Sequence, residues 1–286
     1  NESLIINSKE YVVDRFLFDN YLLNRAKNAG TKIMLGNEFI GEKNGKIILN
    51  KFSAKTKTII GCDGPSSLVN KHFGIIKNMN YFLGKQYVIK AKSNADAYSV
   101  YFDEFFKDFF AWKVPVSGNC VRIGVASKDM SSVNKKLEYF MNSLKIKGKI
   151  LETNAGLIPL FNPFNSNFIK KNDLNVYLYG DACGLVKATT GGGIIPAFKS
   201  IDESLINIVN NNSPNLLNSK KELLVHLLCH KIMCNFKNKD YDSLIKDAKS
   251  SSIKNALEKI NRDNLALLAA KIFIKNPKLL KYFKFH

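Results

Sequence analysis

The segment Asn175–Phe198, NVYLYGDACGLVKATTGGGIIPAF, leaves a chain few ways to fold. Asn175 to Tyr179 is a near-continuous apolar run, the pattern of a strand buried on both faces in a parallel sheet covered by helices. It ends at Gly180 and delivers Asp181 to the carboxyl end of the sheet, where open α/β folds bind ligands. A carboxylate there can accept hydrogen bonds from sugar-like hydroxyls. Twelve residues beyond Asp181, Gly193 and Ile194 start a helix that runs to about Val209. The free N–H groups and positive dipole end of such a helix favour negative charge. The triplet Gly191–Gly193 lets a flat ligand approach the backbone. The plain alternative is a glycine-rich turn that only joins sheet to helix.

Two further segments repeat the strand-to-helix theme. In TIIGCDGPSSLV, Lys57–Ile60 reads as a strand that turns at Gly61-Cys62-Asp63-Gly64, with serines placed to cap a helix from Ser67 to Phe73. In VVDRFLFDNYLLNRA, Arg15 opens a helix that Gly30 stops, with Phe18, Leu22 and Ala26 on one stripe and Leu23 beside it. A cation at a helix start opposes the dipole, which favours a ligand contact over a plain surface arginine. Thr31–Leu35 and Lys46–Leu49 are short strand candidates joined near the hairpin signal Asn44-Gly45.

The pattern changes from about Tyr81 to Ser127. QYVIKAK, AYSVYF, FFAWKVP and CVRIGVA read as short strands of an antiparallel sheet. Lys135–Leu144 is helical, NNNSP at Asn210–Pro214 is a linker, and helices are expected at 223–236, 241–249, 253–260, 265–274 and 277–285.

Composition narrows the function classes. Apolar residues make up 45% and charged residues 23% of 286 positions, ordinary globular usage. No apolar run reaches the roughly 18–20 residues of a membrane-spanning helix. Five scattered cysteines fit a reducing cytosol better than a disulfide framework. Lys and Arg outnumber Asp and Glu by 43 to 24, a net charge of +19, but only Arg15, Arg25, Arg122 and Arg262 are arginine. Nucleic-acid readers lean on arginine forks, so no nucleic-acid partner is expected. The lysine excess reads first as a bias of composition and second as attraction to an anionic membrane surface. The sequence begins at Asn1 rather than Met, as a fragment or a processed product would.

Taken in order, Arg-x-x-Phe-Asp near a helix start, Gly-x-Asp-Gly-x-x-Ser, and Gly-Asp-Ala followed by Gly-Gly-Gly-Ile resemble the flavoproteins of p-hydroxybenzoate-hydroxylase fold. Within that fold the chain is similar to the archaeal geranylgeranyl reductases, whose branch carries Tyr-x-Trp-x-Phe-Pro. Here that segment is Phe110-Ala111-Trp112-Lys113-Val114-Pro115, with Phe110 and Val114 as apolar departures. GLIPLF at Gly156–Phe161 and the tail KNPKLLKYF also look like this branch.

The resemblance implies an α/β fold with an α+β substrate domain. An FAD-binding Rossmann-like domain would comprise 1–76 and a return segment 166–212. An antiparallel-sheet substrate domain would span 77–165 and a helical region 213–286. It implies that FAD contacts Arg15 and the backbone of Phe39, at the end of the strand after the first helix. Asp181 would hold the ribityl chain, Gly193 and Ile194 would offer N–H groups to the flavin pyrimidine edge, and Asp63 would belong to the flavin-domain turn. Phe110, Trp112 and Pro115 would line an apolar tunnel for an isoprenoid ether lipid, with Lys237 toward its phosphate. The cytoplasmic, peripheral inner face of the membrane is the expected location. The electron donor, NADPH or a ferredoxin-like protein, is unassigned.

One family feature is missing from this sequence: the Gly-x-Gly-x-x-Gly turn for the FAD pyrophosphate. The expectation is that an N-terminal polypeptide, truncated here or encoded separately, supplies that turn. Other readings on the same residues are a monooxygenase or dehydrogenase of this fold, a non-catalytic subunit of a split flavoprotein, and a lysine-rich binding module. A rival site, His226, Cys229, His230 and Cys234 on one side of a helix, has zinc-like ligands. The flanking leucines mark that helix as buried and one straight helix wraps a tetrahedral ion poorly, so no metal is expected.

Overall fold

The computed structural model describes residues 2–8, 11–91, 97–116, 119–260, 264–275, 277 and 282. Helix α1 (Arg15–Asn28) starts at Asp14, whose carboxylate accepts from Leu17 N. Its half-buried positions are Phe18, Asn20, Leu22, Leu23 and Ala26, so the stripe read from the sequence is the inward side. No α1 residue is fully buried, and Phe16, Leu17 and Tyr21 are exposed.

The hairpin at Asn44-Gly45 forms, with both residues at positive φ as its tight turn requires. Its strands are β1 (Phe39–Lys43) and β2 (Lys46–Leu49), extended by β3 (Ser53–Lys55). This corrects the expectation for 31–35, which is not a strand. Segment 39–43 lies two residues from β2 and takes the pairing, while only Ile33 is half-buried within 31–35. Phe39 therefore begins a strand rather than ending one.

Strand β4 (Thr58–Gly61) leads into α2 (Leu68–Phe73), capped by Ser67 Oγ and stopped by Gly74 in the left-handed region. Ten residues (Tyr81–Lys90) form β5, followed by β6 (Ser99–Tyr101), β7 (Ala111–Val116), β8 (Cys120–Ser127) and α3 (Val133–Ser143). β9 (Ile150–Pro159) completes an antiparallel sheet of order β6-β7-β8-β5-β9. It was not read from the sequence: as an edge strand with its first seven positions exposed, it shows no apolar alternation. On one face of this sheet, Val133, Leu137 and Phe140 of α3 pack on Ile89, Val121, Ile123 and Val125. On the other, Phe82, Phe109 and Ala126 meet Phe110, Trp112, Ile158 and Leu160.

β10 (Phe168–Lys171) pairs antiparallel with β11 (Leu174–Leu178), and β11 pairs in parallel with β4, so the order is β10-β11-β4. All five residues of β11 are buried, as its apolar run requires. Its core takes in Val69 of α2, Ile201 and Ile208 of α4 (Ile194–Val209), and Leu223 and Leu227 of α5 (Leu217–Met233). Helices α6 (Asn238–Ala248), α7 (Ser251–Lys259) and α8 (Leu265–Lys275) follow. The helix expected at 277–285 falls almost wholly outside the described residues.

α4 lies close to β11 because its inner stripe is small: Pro196, Ser200 and Ser204 are buried. The Ser204 hydroxyl bonds Tyr179 OH, and Ser200 and Ser204 each also bond a carbonyl of the preceding turn.

Candidate functional site

Gly180 takes a positive φ as β11 ends, and Gly180–Cys183 coil into one tight turn. That turn holds Asp181 beside the start of α4. Gly193 is the N-cap of α4, and no side chain caps the helix. Its first-turn N–H groups and the dipole therefore face whatever lies in front of Gly193. A Cβ at Gly193 would sit 2.6 Å from Asp181 Oδ1, so only glycine leaves the carboxylate its place. Burial pushes the Asp181 carboxyl above its ordinary range, and the Arg15 charge opposes that. Arg15 is held by Asp19 one turn along α1, through Nε at 3.1 Å and Nη2 at 2.9 Å, which raises the guanidinium further. The structure thus brings Arg15, Asp181, Gly193 and Ile194 toward one corner.

Asp63 and Phe39 are used differently. Asp63 Oδ2 accepts from Val69 N at 3.1 Å and fixes the entry to α2. Phe39 packs on α2, with ring centroids 5.7 Å from His72 and 6.2 Å from Phe73.

The glycine loop connects this corner to the second sheet. Gly191 has a positive φ, and a Cβ there would lie 3.3 Å from the Phe109 ring and 3.4 Å from Ile158. Phe109 stacks on Phe110 at 4.4 Å, and Phe110 meets Trp112 edge-on at 6.0 Å. The Trp112 indole lies across Gly124 of β8, where a Cβ would be 2.3 Å from the ring, and Nε1 donates to Gln86 at 3.3 Å. Phe102 and Tyr241 extend the wall by stacking at 5.5 Å.

A small pocket opens against this wall, lined by Phe102, Phe109, Phe110, Thr189, His230 and Tyr241 among others. Of the expected substrate residues, Phe110 and Trp112 stand on this face. Pro115 does not. Side chains alternate along β7, and Pro115, paired with buried Val121, faces α3 with Ala111. Lys237 is an exposed residue at the start of α6, whose backbone N–H donates to Asp240 at 2.9 Å.

Phe102, Phe109, Thr189, His230 and Tyr241 come from separate elements, and no spacing in the sequence joins them. The histidines and cysteines of α5 also part company. His226 Nδ1 lies 2.5 Å from the Thr189 hydroxyl. His230 Nε2 meets the Asp108 carbonyl at 2.8 Å, with Cys234 Sγ at 3.4 Å. Burial lowers the His230 pKa, so the neutral ring donates from Nε2, and burial raises the Cys229 and Cys234 thiols. Asp108 itself is half-buried, bonded by Lys136 Nζ at 3.0 Å and Ser127 Oγ at 2.8 Å.

These features fit a flavin. The Gly193 position is a cradle that a side chain would fill, Asp181 offers an acceptor beside it, and the α4 N-terminus suits an electron-rich ring edge.

No protein-family model matches the chain. A digeranylgeranylglycerophospholipid reductase from Methanococcus vannielii is 29% identical over 96% of this chain and 75% of its own length. The solved geranylgeranyl bacteriochlorophyll reductase-like protein from Thermoplasma acidophilum superposes with a TM-score of 0.71 at 17% identity, over 96% of this chain and 77% of that one. A flavoprotein/dehydrogenase from Cytophaga hutchinsonii gives 0.57 at 15% identity, over 96% and 74%.

Proposed function

We infer that this chain, a member of the archaeal geranylgeranyl reductase family, is an FAD-dependent reductase that saturates isoprenoid double bonds of membrane lipids. One observation carries the reading: the Gly191–Gly193 loop has Asp181 and the α4 N-terminus on one side and the Phe109–Phe110–Trp112 wall on the other. A redox ring held at that loop faces a pocket with an aromatic wall, suited to a substrate with few polar handles. When bound, the reduced flavin supplies the hydride; the chain's residues bind, orient and exclude water. Asp181 binds the sugar-like chain of the cofactor, Gly193 and Ile194 present N–H groups, and Phe110 and Trp112 hold the isoprenoid.

Strand β4 ends its sheet on an open edge among the described residues, with Ile60 exposed beside it. Outward on α4, Leu205, Ile206 and Val209 are exposed, as are Phe16 and Leu17 on α1. These bare apolar faces support docking of a further strand-turn-helix, carrying the pyrophosphate glycines, on the β4 edge. No helix among the described residues is long and apolar enough to cross a membrane. The lysine excess supports peripheral contact with an anionic membrane as the route to a lipid substrate.

The test is flavin content, followed by lipid reduction. The chain is purified alone and with a co-expressed Gly-x-Gly-x-x-Gly segment, and the released cofactor is identified as FAD by chromatography. The expected result is FAD in the co-purified sample, with gain of hydrogen in a geranylgeranyl lipid by mass spectrometry under dithionite. Absence of flavin from both samples overturns the reading.

A further inference from the structure

An alkene saturated in this pocket gains a hydride at one carbon and a proton at its neighbour. The source of that proton can be sought in the polar groups that reach the pocket. Thr189, two residues before Gly191, lines it. The Thr189 hydroxyl lies 2.5 Å from His226 Nδ1, and His226 is only 2% exposed. Across the same ring, Nε2 stands 3.8 Å from Glu222 Oε1, one turn earlier on α5. Glu222 lines a second cleft, with Lys187, Lys199 and Ser219, and its side chain is 19% exposed. One imidazole shielded from solvent thus links the substrate pocket to an outer cleft.

We propose that Glu222, His226 and Thr189 form a proton-delivery path from the outer cleft to the pocket, with the Thr189 hydroxyl giving the proton to the alkene carbon. This rests on the reductase reading, and the hydride comes from a reduced flavin. The Thr189 O–H bond breaks as a C–H bond forms, and the oxygen takes the proton from Nδ1 of the neutral His226 ring while its Nε2 takes one from the Glu222 side, which draws on solvent. The ring, left as its Nε2–H tautomer, returns to the Nδ1–H tautomer by proton exchange before the next turnover. The net change is one solvent proton and one hydride added across the double bond. The geometry sets a hydroxyl rather than a charge against the aromatic wall. His230 lines the same pocket but is committed through Nε2 to the Asp108 carbonyl.

The experiment is an anaerobic single turnover with prereduced, flavin-loaded protein and a micellar geranylgeranyl lipid. Thr189→Val is expected to keep bound flavin and its reduction by dithionite. It should slow lipid-driven flavin reoxidation by about a hundredfold, in the range of general-acid effects. It should also abolish the solvent deuterium effect on that step, and Thr189→Ser should recover both. An unchanged rate with an unchanged isotope effect in Thr189→Val overturns the path. A second readout needs no flavin: 15N-histidine NMR of the chain alone. Thr189→Val should move the His226 Nδ1 resonance and Glu222→Gln the Nε2 resonance; a ring unmoved by both overturns the path. If the wild-type flavin is never reoxidised by lipid, the reductase reading fails, and the ring signals still decide whether the path exists.

Discussion

Gly193 and Asp181 hold each other's place. A methyl group at Gly193 would press to within 2.6 Å of the Asp181 carboxylate, while the backbone there is ordinary right-handed helix at φ −107°. Gly193→Ala should therefore leave the melting temperature nearly unchanged, within about 1 kcal/mol of stability, and displace Asp181. The expected readout is a fall of about tenfold or more in flavin affinity, equivalent to about 1.4 kcal/mol. Gly156→Ala, with open space around its Cβ, is the control that should retain flavin. A second residue-scale case is the Lys136–Asp108 pair, whose side chains are 11% and 20% exposed. Burial alone would raise the Asp108 carboxyl, but hydrogen bonds from Lys136 and Ser127 reverse this and hold it below the usual range. Lys136→Met removes one partner of that carboxylate and leaves Ser127, and should cost about 2 kcal/mol in urea unfolding. Because the folded pKa is depressed, the pair's contribution is full above about pH 4 and lost as pH falls through the lower folded value.

Helix α5 is fastened to the second sheet by His230, which donates to the Asp108 carbonyl and sets its ring edge-on to Phe82 at 5.4 Å. Burial lowers the pKa of this ring, so the neutral form is the one the fold prefers. The resulting stability is complete above the unfolded value of about 6.5 and is lost as pH drops through the folded value. Urea midpoints measured from pH 8 to 5 should fall below about pH 6.5, and His230→Gln, which retains a donor, should remove that step. A midpoint that is flat across this range in the wild type would contradict the role assigned to the ring. The same element shows how far a sequence can be read. The all-buried β11, the turn at Gly180, the N-terminus of α4 and the inward stripe of α1 were legible, because backbone demands and burial leave glycines and apolar periodicity behind. The path through His226 and the wall of Phe102, Phe109 and Tyr241 were not, because they arise where α5, α6 and the second sheet meet. β9 escaped for a related reason: an exposed edge strand leaves no alternation. Segment 31–35 carries a strand-like pattern, but pairing at 46–49 goes to the nearer segment 39–43.

At the scale of the whole molecule, a net charge of +19 meets a proposed substrate that resides in a membrane. Thirty-nine of the basic residues are lysines, compact charges that attract an anionic surface without specific geometry. Each lysine near such a surface contributes about 1 kcal/mol, and the field decays within about 10 Å at 0.1 M salt. Attraction through this charge requires binding to anionic vesicles that falls steeply with salt and is weak on neutral ones. Co-sedimentation with vesicles of anionic phospholipid should therefore drop by about tenfold between 50 mM and 300 mM salt, while neutral vesicles retain little protein at either. The exposed apolar faces of α1 and α4 predict a different response, since burial of apolar surface strengthens rather than weakens in a salting-out medium. Binding that persists or grows with salt would move the membrane contact from the lysines to those faces. Loss of that residual binding when a segment is docked on the β4 edge would show that the same faces accept that segment.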